Sequence, residues 1–483
     1  MGVDKLHLLI NNEDVETGQY TEVKDPGRYT DVVGLVAKGT VQHVEQAVQA
    51  AHQAFASWRQ TSLEERSALF MQAAKLLEED TSSLSEMLTR ENGMLLNDAS
   101  MEVGLSPYVI YLTLENAQAF FQSKQAEDEV SFVSVEKRPI GVIAAIVPWN
   151  APFVLTLQKL VPAVLAGNTI VIKPSPNAPI SISRALRKMA ALFPDGVINV
   201  IHGDTDVGTA LTTHPLVRKI TFTGGGKTAK HIMKGAADSL KGVHFELGGN
   251  DPAIVLDDAD LDEVVPKIVQ GAFWRSGQIC FDIKRVYVPQ AMYDAFYRRT
   301  CDLVDAYKVG HGLNPDATLG PVNNKLQYQY VKELIEGARQ SGAKVIELGQ
   351  KLEPANWDNG YFLQPAVVGD VEPGQDIVTC EQFGPVIPLI AYRSEEEALR
   401  MANMTEYGLA SSVWSSDFER ALRVTREIEA GMTFINGHGQ SPLGAKLMPF
   451  GGVKQSGIGR ENSEVGLAEY IEYHAINYHK QSH

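Results

Sequence analysis

Cys280 stands in Gly277-Gln278-Ile279-Cys280-Phe281, a polar turn that follows a helix-like stretch. A thiolate is a strong nucleophile near neutral pH once its pKa is lowered, so a cysteine on a loop can carry covalent catalysis. The plainer reading of any one cysteine is a small buried hydrophobe. Glu246 lies in Phe245-Glu246-Leu247-Gly248-Gly249-Asn250, at the end of an apolar run. A carboxylate there is costly unless paired, and burial raises its pKa toward the range of a general base. A glutamate paired for structure is the competing reading. Gly248-Gly249 permits close backbone approach, as a ligand cleft requires. Thr223-Gly224-Gly225-Gly226-Lys227 joins an apolar run to a helical pattern, a place where backbone N–H groups can face a phosphate. The glycines lack the G-x-G-x-x-G spacing, and a tight turn is the alternative. Lys173, in Lys173-Pro174, can hold ribose or phosphate, although a solvated lysine is the default.

The elements that would position these residues follow from periodicity. Residues 41–80 carry two amphipathic helices, the second opening near Thr61-Ser62 with Glu64 and Glu65 in its first turn. From residue 141 the pattern changes. Gly141–Val147, Thr169–Ile172, Val197–Ile201, Lys219–Thr223 and Val243–Leu247 are apolar runs with helical stretches between them, which predicts a parallel doubly wound sheet. Open sheets of this kind bind ligands beyond the C-terminal ends of their strands. Asn150 lies beyond the first strand, Lys173 beyond the second, Gly224 beyond the fourth and Glu246 at the end of the fifth. Four such sites on one rim argue for a cleft better than any one does. A second alternation of strands and helices runs from Ala253 to Asn436, with the break near 246–251. Val130–Lys137 and Tyr470–His479 alternate like exposed strands, which can pair with another subunit.

Composition narrows the function class. The chain has 483 residues, about three domains by length, with 43 Lys plus Arg against 59 Asp plus Glu and a net charge of −16. That excess of negative charge repels nucleic acid and anionic membrane. Three cysteines, Cys280, Cys301 and Cys380, form no C-x-x-C pair, which speaks against a disulfide framework and a cysteine zinc site. Met1–Ile10 lacks the pattern of a secretory leader, Leu6 stands where myristoylation wants Ser or Thr, and Ile140–Pro148 is too short to span a bilayer. A cytoplasmic protein with no metal is expected.

Taken together, these segments resemble the aldehyde dehydrogenase superfamily along nearly the whole chain. The resemblance is carried by Pro148-Trp149-Asn150, Lys173-Pro174-Ser175, Lys219–Gly224, Phe245–Gly249, Gly277–Cys280, Glu381-Gln382-Phe383-Gly384-Pro385 and Pro449–Glu461. It implies a Rossmann-like cofactor domain (1–122 and 141–247), a catalytic α/β domain (248–455) and a small β oligomerisation arm (123–140 and 466–483). It implies that Cys280 attacks the aldehyde carbon and that Asn150 and the Cys280 N–H form the oxyanion hole. Glu246 then activates the water that hydrolyses the thioester. The same resemblance assigns Ile146, Val147, Trp149, Lys173, Ser175, Pro176, Gly224, Gly225, Leu247, Glu381 and Phe383 to the cofactor. It assigns Ala151 and Phe450 to the substrate tunnel and Glu461 to proton traffic near the thiol. NAD is the expected cofactor, an aldehyde the small-molecule substrate, and a homodimer or homotetramer the expected assembly.

Three positions depart from the family pattern. Pro176 stands where many NAD-preferring members have a ribose-binding Glu, which leaves NADP open. Gly225 replaces a frequent Ser. Ala151 replaces a frequent Phe and should widen the tunnel for bulkier aldehydes. A CoA-acylating relative, a thiol esterase and a fold retained without activity are the alternatives, and Glu246 argues against the first.

Overall fold

The computed structural model describes residues 5–480. The first four residues, on which part of the reading of the N-terminus rests, and the last three of the C-terminal arm lie outside the described residues.

Five parallel strands form the first sheet: β1 (Val142–Ile146), β2 (Thr169–Lys173), β3 (Ile198–Val200), β4 (Val217–Thr223) and β5 (Gly242–Glu246). Their spatial order is β5-β4-β1-β2-β3. The chain therefore winds one way to β3, returns past β1 and winds the other way, as in a Rossmann sheet. Antiparallel edges close both sides: Leu8–Ile10 pairs with β3, and Gly457–Ile458 pairs with β5. The apolar runs are continuous because both faces are covered. Ile143 and Ala145 face one cluster, built with helices α2 (Leu63–Asn92), α3 (Leu96–Phe120), α4 (Pro152–Leu165) and α5 (Ile180–Ala190). Val142 and Ala144 face another, with the helices Val41–Trp58, Thr205–Thr213 and Gly226–Ala237. Each buried Val, Ile or Leu contributes about 1.5–3 kcal/mol of transfer free energy.

The second sheet contains six parallel strands: β6 (Asp251–Val255), β7 (Ile283–Pro289), β8 (Ala366–Gly369), β9 (Val386–Tyr392), β10 (Ala410–Trp414) and β11 (Met432–Ile435). Their order is β8-β9-β7-β6-β10-β11, with Lys344–Glu347 antiparallel on the outer side of β8. Only Leu247–Asn250 separates β5 from β6. The C-terminal edge of one sheet therefore passes almost directly into the N-terminal edge of the other. A third, three-stranded sheet joins Lys124–Glu127, Ser131–Pro139 and Ile471–His479. The two exposed segments read from the sequence thus pair with each other, from Pro139 opposite Ile471 to Ser131 opposite His479. Among the described residues no helix is long and apolar enough to cross a membrane.

Candidate active site

The loop that carries Cys280 leaves helix Leu261–Phe273 through a tight turn, Trp274–Gly277, in which Arg275 (φ 48°) and Ser276 (φ 59°) adopt left-handed backbone. Such conformations cost about 1–3 kcal/mol each and persist only where the surroundings fix them. Here they are fixed. The Arg275 guanidinium is buried against Glu102 at 2.9 Å and reaches the carbonyls of Asn150 and Asp98. Ser276 donates to Gly320 O at 2.9 Å. Gly277 has φ 70°, and a Cβ there would stand 2.2 Å from the Gly384 carbonyl oxygen, so only glycine lets the two loops meet. Gln278 donates to the carbonyls of Arg275 and Pro321 and accepts from Asn323 N–H.

Cys280 opens on a cavity of about 870 Å³. Asn150, 7% exposed, lines the same cavity and donates one amide N–H to Gln278 O at 3.1 Å. Its second amide hydrogen remains for a ligand oxygen. Burial raises the Cys280 thiol well above its ordinary value, and Glu381, Asp251 and Glu246 add to this while Lys284 opposes it.

Glu246 ends β5 but does not line this cavity. It is 2% exposed, neither carboxylate oxygen accepts a hydrogen bond, and Oε1 lies 3.4 Å from His244 Nε2. Burial raises its pKa well above the carboxylate range, and the nearby Glu461 raises it further. Loss of hydration also keeps His244 neutral. Gly451 is a necessary glycine, because a Cβ would meet Glu246 Oε1 at 2.6 Å. Glu461 is ion-paired with the fully buried Lys159. It stands beside Glu246 in the same buried charge cluster, and it does not line the cavity that holds Cys280. A two-way backbone bridge ties it to Phe450, which does line that cavity.

The residues expected at the cofactor fall along the facing edges of the two sheets. Lys173 ends β2; burial lowers its pKa, and among the described residues no carboxylate lies within ion-pair distance of it. Ile146, Val147 and Trp149 continue from β1, and Trp149 meets Phe383 edge-to-face at 5.5 Å. Phe383 has φ 49°, a left-handed conformation outside glycine. Ser175 and Pro176 lie in the turn after β2, where Ser175 Oγ accepts from Asn177 N–H and Pro176 is exposed. Gly224 and Gly225 differ from each other. The Gly224 N–H is spent on Glu246 O, whereas Gly225 caps helix Gly226–Ala237 and borders open space. The close approach at Gly248-Gly249 is made by a side chain. Glu381 accepts from Gly249 N–H at 3.0 Å, and a Cβ on Gly248 would stand 2.2 Å from its carboxylate. Burial lifts Glu381 to about 7. Leu247 is held by its N–H to Ser456 O. A buried lysine with no ion pair among the described residues, an open helix N-terminus and a carboxylate, set at the C-terminal ends of the first sheet's strands and on the link beyond them, are groups that fit a dinucleotide's phosphates and ribose hydroxyls.

Sequence reasoning missed the wall of the cavity. Met101, Leu105 and Tyr108 of α3, Trp274, Phe281, Phe434 and His438 all line it. The helical spacing of Met101, Leu105 and Tyr108 was the available signal for the first three. His438 meets Phe434 edge-to-face and lies tilted beside Phe281, and burial lowers its pKa to about 4, so it is neutral.

Comparison with known proteins gives consistent results. Residues 13–476 match the model of the aldehyde dehydrogenase family. A glutarate-semialdehyde dehydrogenase of Pseudomonas putida is 36% identical over 469 residues, covering 96% of this chain and 95% of that protein. A 3-sulfolactaldehyde dehydrogenase of Pseudomonas putida is 35% identical over 461 residues, covering 95% and 93%. Among solved structures, a betaine aldehyde dehydrogenase from Staphylococcus aureus in complex with NAD+ superposes with TM-score 0.93 at 31% identity, covering 98% of this chain and 94% of that one. An E. coli NADP dependent enzyme gives 0.93 at 33% identity, covering 99% and 98%.

Proposed function

The chain belongs to the aldehyde dehydrogenase family and is an NAD(P)-dependent aldehyde dehydrogenase, and on that premise we propose which residues do the chemistry and which aldehydes they serve. Cys280 is the nucleophile: its thiolate adds to the aldehyde carbon, and the oxyanion that forms takes hydrogen bonds from the Asn150 amide and the Cys280 N–H. A dinucleotide bound in the cofactor unit would supply the acceptor for the hydride of this intermediate. Loss of that hydride leaves a thioester on Cys280. Glu246 then removes a proton from water, hydroxide adds to the thioester carbon, and the carboxylic acid leaves as the Cys280 sulfur is released. Lys173 and Glu381 hold ribose hydroxyls, with Ser175 and Pro176 beside them. Gly224, Gly225 and Leu247 border the pyrophosphate. Ile146, Val147, Trp149 and Phe383 wall the nicotinamide end. Glu461, paired with Lys159, serves proton traffic to Glu246. The cofactor unit spans 1–122 and 141–247, the catalytic unit 248–455, and the arm 123–140 and 466–483 of a homo-oligomer in the cytoplasm.

The substrate class is an aldehyde with a bulky, uncharged, apolar tail. One observation carries this: the cavity walls are mostly aromatic and aliphatic, with Asn, Gln and Ser side chains among them, and each of the two cations on them, the buried Arg275 and the half-exposed Lys267, lies beside a glutamate. Arg275 is paired with Glu102, Lys267 lies 3.7 Å from Glu263, and Asp282 accepts from Ile279 N–H. Glutarate semialdehyde and 3-sulfolactaldehyde, in the names of the two curated relatives, are anionic and would need a free cation. Ala151 leaves room beside Cys280 for a ring. The test is initial rates of NADH and NADPH formation over aliphatic, aromatic and carboxylate-bearing aldehydes. Aromatic or long apolar aldehydes should show the highest kcat/KM, and a preference for the carboxylate-bearing ones would overturn the assignment.

A further inference from the structure

Lys284, the second residue of β7, is 2% exposed and stands directly behind the nucleophile loop. Its Nζ donates to Gly277 O at 2.8 Å and to Ile279 O at 2.9 Å, the carbonyls that bracket the approach to Cys280. A buried ammonium makes such charge-assisted bonds about twice as strong as neutral ones. Asp282 completes the clamp, accepting from Ile279 N–H at 3.2 Å with an oxygen 4.0 Å from Lys284 Nζ. The same ammonium lies 5.4 Å from the centre of the Phe383 ring, within cation–π range. The Lys284 carbonyl accepts from Gln382 Nε2 at 3.2 Å. One side chain thus holds the loop bearing the thiol and reaches the loop bearing Phe383.

The charges around Cys280 are lopsided. Glu381, Asp251 and Glu246, each raised by burial above the ordinary carboxylate range, disfavour a thiolate as they ionise; Lys284 is the cation that opposes them. Arg275, the other buried cation of the loop, is turned toward Glu102.

We propose that Lys284 is a positioning residue of this enzyme, which fixes the nucleophile loop through the carbonyls of Gly277 and Ile279 and supplies the positive charge that lets the Cys280 thiolate form among three carboxylates. The proposal rests on Cys280 being the nucleophile, which Cys280→Ala tests separately by loss of turnover whatever Lys284 does.

The experiment is the pH dependence of Cys280 alkylation by iodoacetamide in the full-length enzyme, with the modified residue identified by peptide mass. In Lys284→Gln, which keeps a donor but loses the charge, the alkylation midpoint should move up by about one pH unit or more. Lys284→Arg should restore most of that shift. In steady state Lys284→Gln should lose kcat with little change in KM for the dinucleotide. If Lys284→Gln alkylates with the wild-type midpoint, the proposal is overturned; if Lys284→Gln does not fold, an unshifted midpoint in Lys284→Met overturns it instead.

Discussion

A base that is protonated cannot take a proton, and Glu246 is held by burial and by Glu461 well above the carboxylate range. Thioester hydrolysis should therefore fail on the acid side of a limb that lies far above the ordinary 4.5, and rise with pH as Glu246 ionises. Glu246→Gln should flatten that limb and cut kcat by about 10²–10⁴-fold. Acylation of Cys280 should survive, so intact mass should reveal a stalled acyl-enzyme; turnover at the wild-type rate would remove Glu246 from its role. Ala151 offers an independent check on the substrate. Ala151→Phe puts a ring at the mouth beside Cys280, and kcat/KM for benzaldehyde relative to propanal should fall about tenfold. An unchanged ratio would mean that the tail does not pass this residue. His244 belongs at this scale as well: neutral and 3.4 Å from Glu246, it adds no charge to hold the carboxylate ionised.

Between elements, the informative contact is the one that Glu381 makes with the link from β5 to β6. Gly248→Ala would drive a methyl into the Glu381 carboxylate, which has nowhere to retreat without leaving the Gly249 N–H. The expected result is a rise of about tenfold or more in KM for the dinucleotide, about 1.4 kcal/mol. Acylation by a thiol-reactive ester that needs no cofactor should change little. Equal loss of both would assign the glycine to folding alone. The parallel strands of the first sheet were legible because their apolar runs are covered on both faces, and Ser62 with Glu65 announced the start of α2 through the capping box they form. Helix α3 was not. Gly104 and Pro107 interrupt it, and its apolar residues run around it because it packs on α2 and α4 and also walls the cavity. The four-residue strand β8 was too short to show a period. Cys280 and Glu246 could be found from their own neighbours in sequence, but the setting of each could not. Left-handed Arg275 depends on Glu102, and the opening of α5 depends on Glu91, whose carboxylate accepts from Ile180 and Ser181 N–H. Partners so distant in the chain leave no local trace.

For the whole molecule, the three-stranded sheet is the part least explained by a single chain. Its outer strand Ile471–His479 pairs on one side only, and Val130, Tyr473 and Tyr478 are each more than half exposed around it. A long edge with apolar neighbours is a template for another copy. If the proposed homo-oligomer forms through this edge, removing residues 473–483 should leave a monomer in light scattering after size exclusion, with Tyr470 and Ile471 still packed in the core of the first sheet. Retention of the wild-type mass would place the interface elsewhere. The −16 charge sets a condition on such pairing: like-charged copies repel, so association should strengthen as salt rises.

Part of the cavity wall comes from stretches of chain remote from Cys280 and Asn150, although Trp274 and Phe281 flank the thiol itself. Met101, Leu105 and Tyr108 come from α3 and Gln440, Ser441 and Pro442 from the segment after β11, while Cys280 stands on the loop before β7 and Glu246, the proposed base, at the end of β5. For an engineer this is a practical division. A combinatorial library confined to those six positions could be selected for new aldehyde tails with the redox apparatus unchanged, and the same library should leave dinucleotide preference where it began.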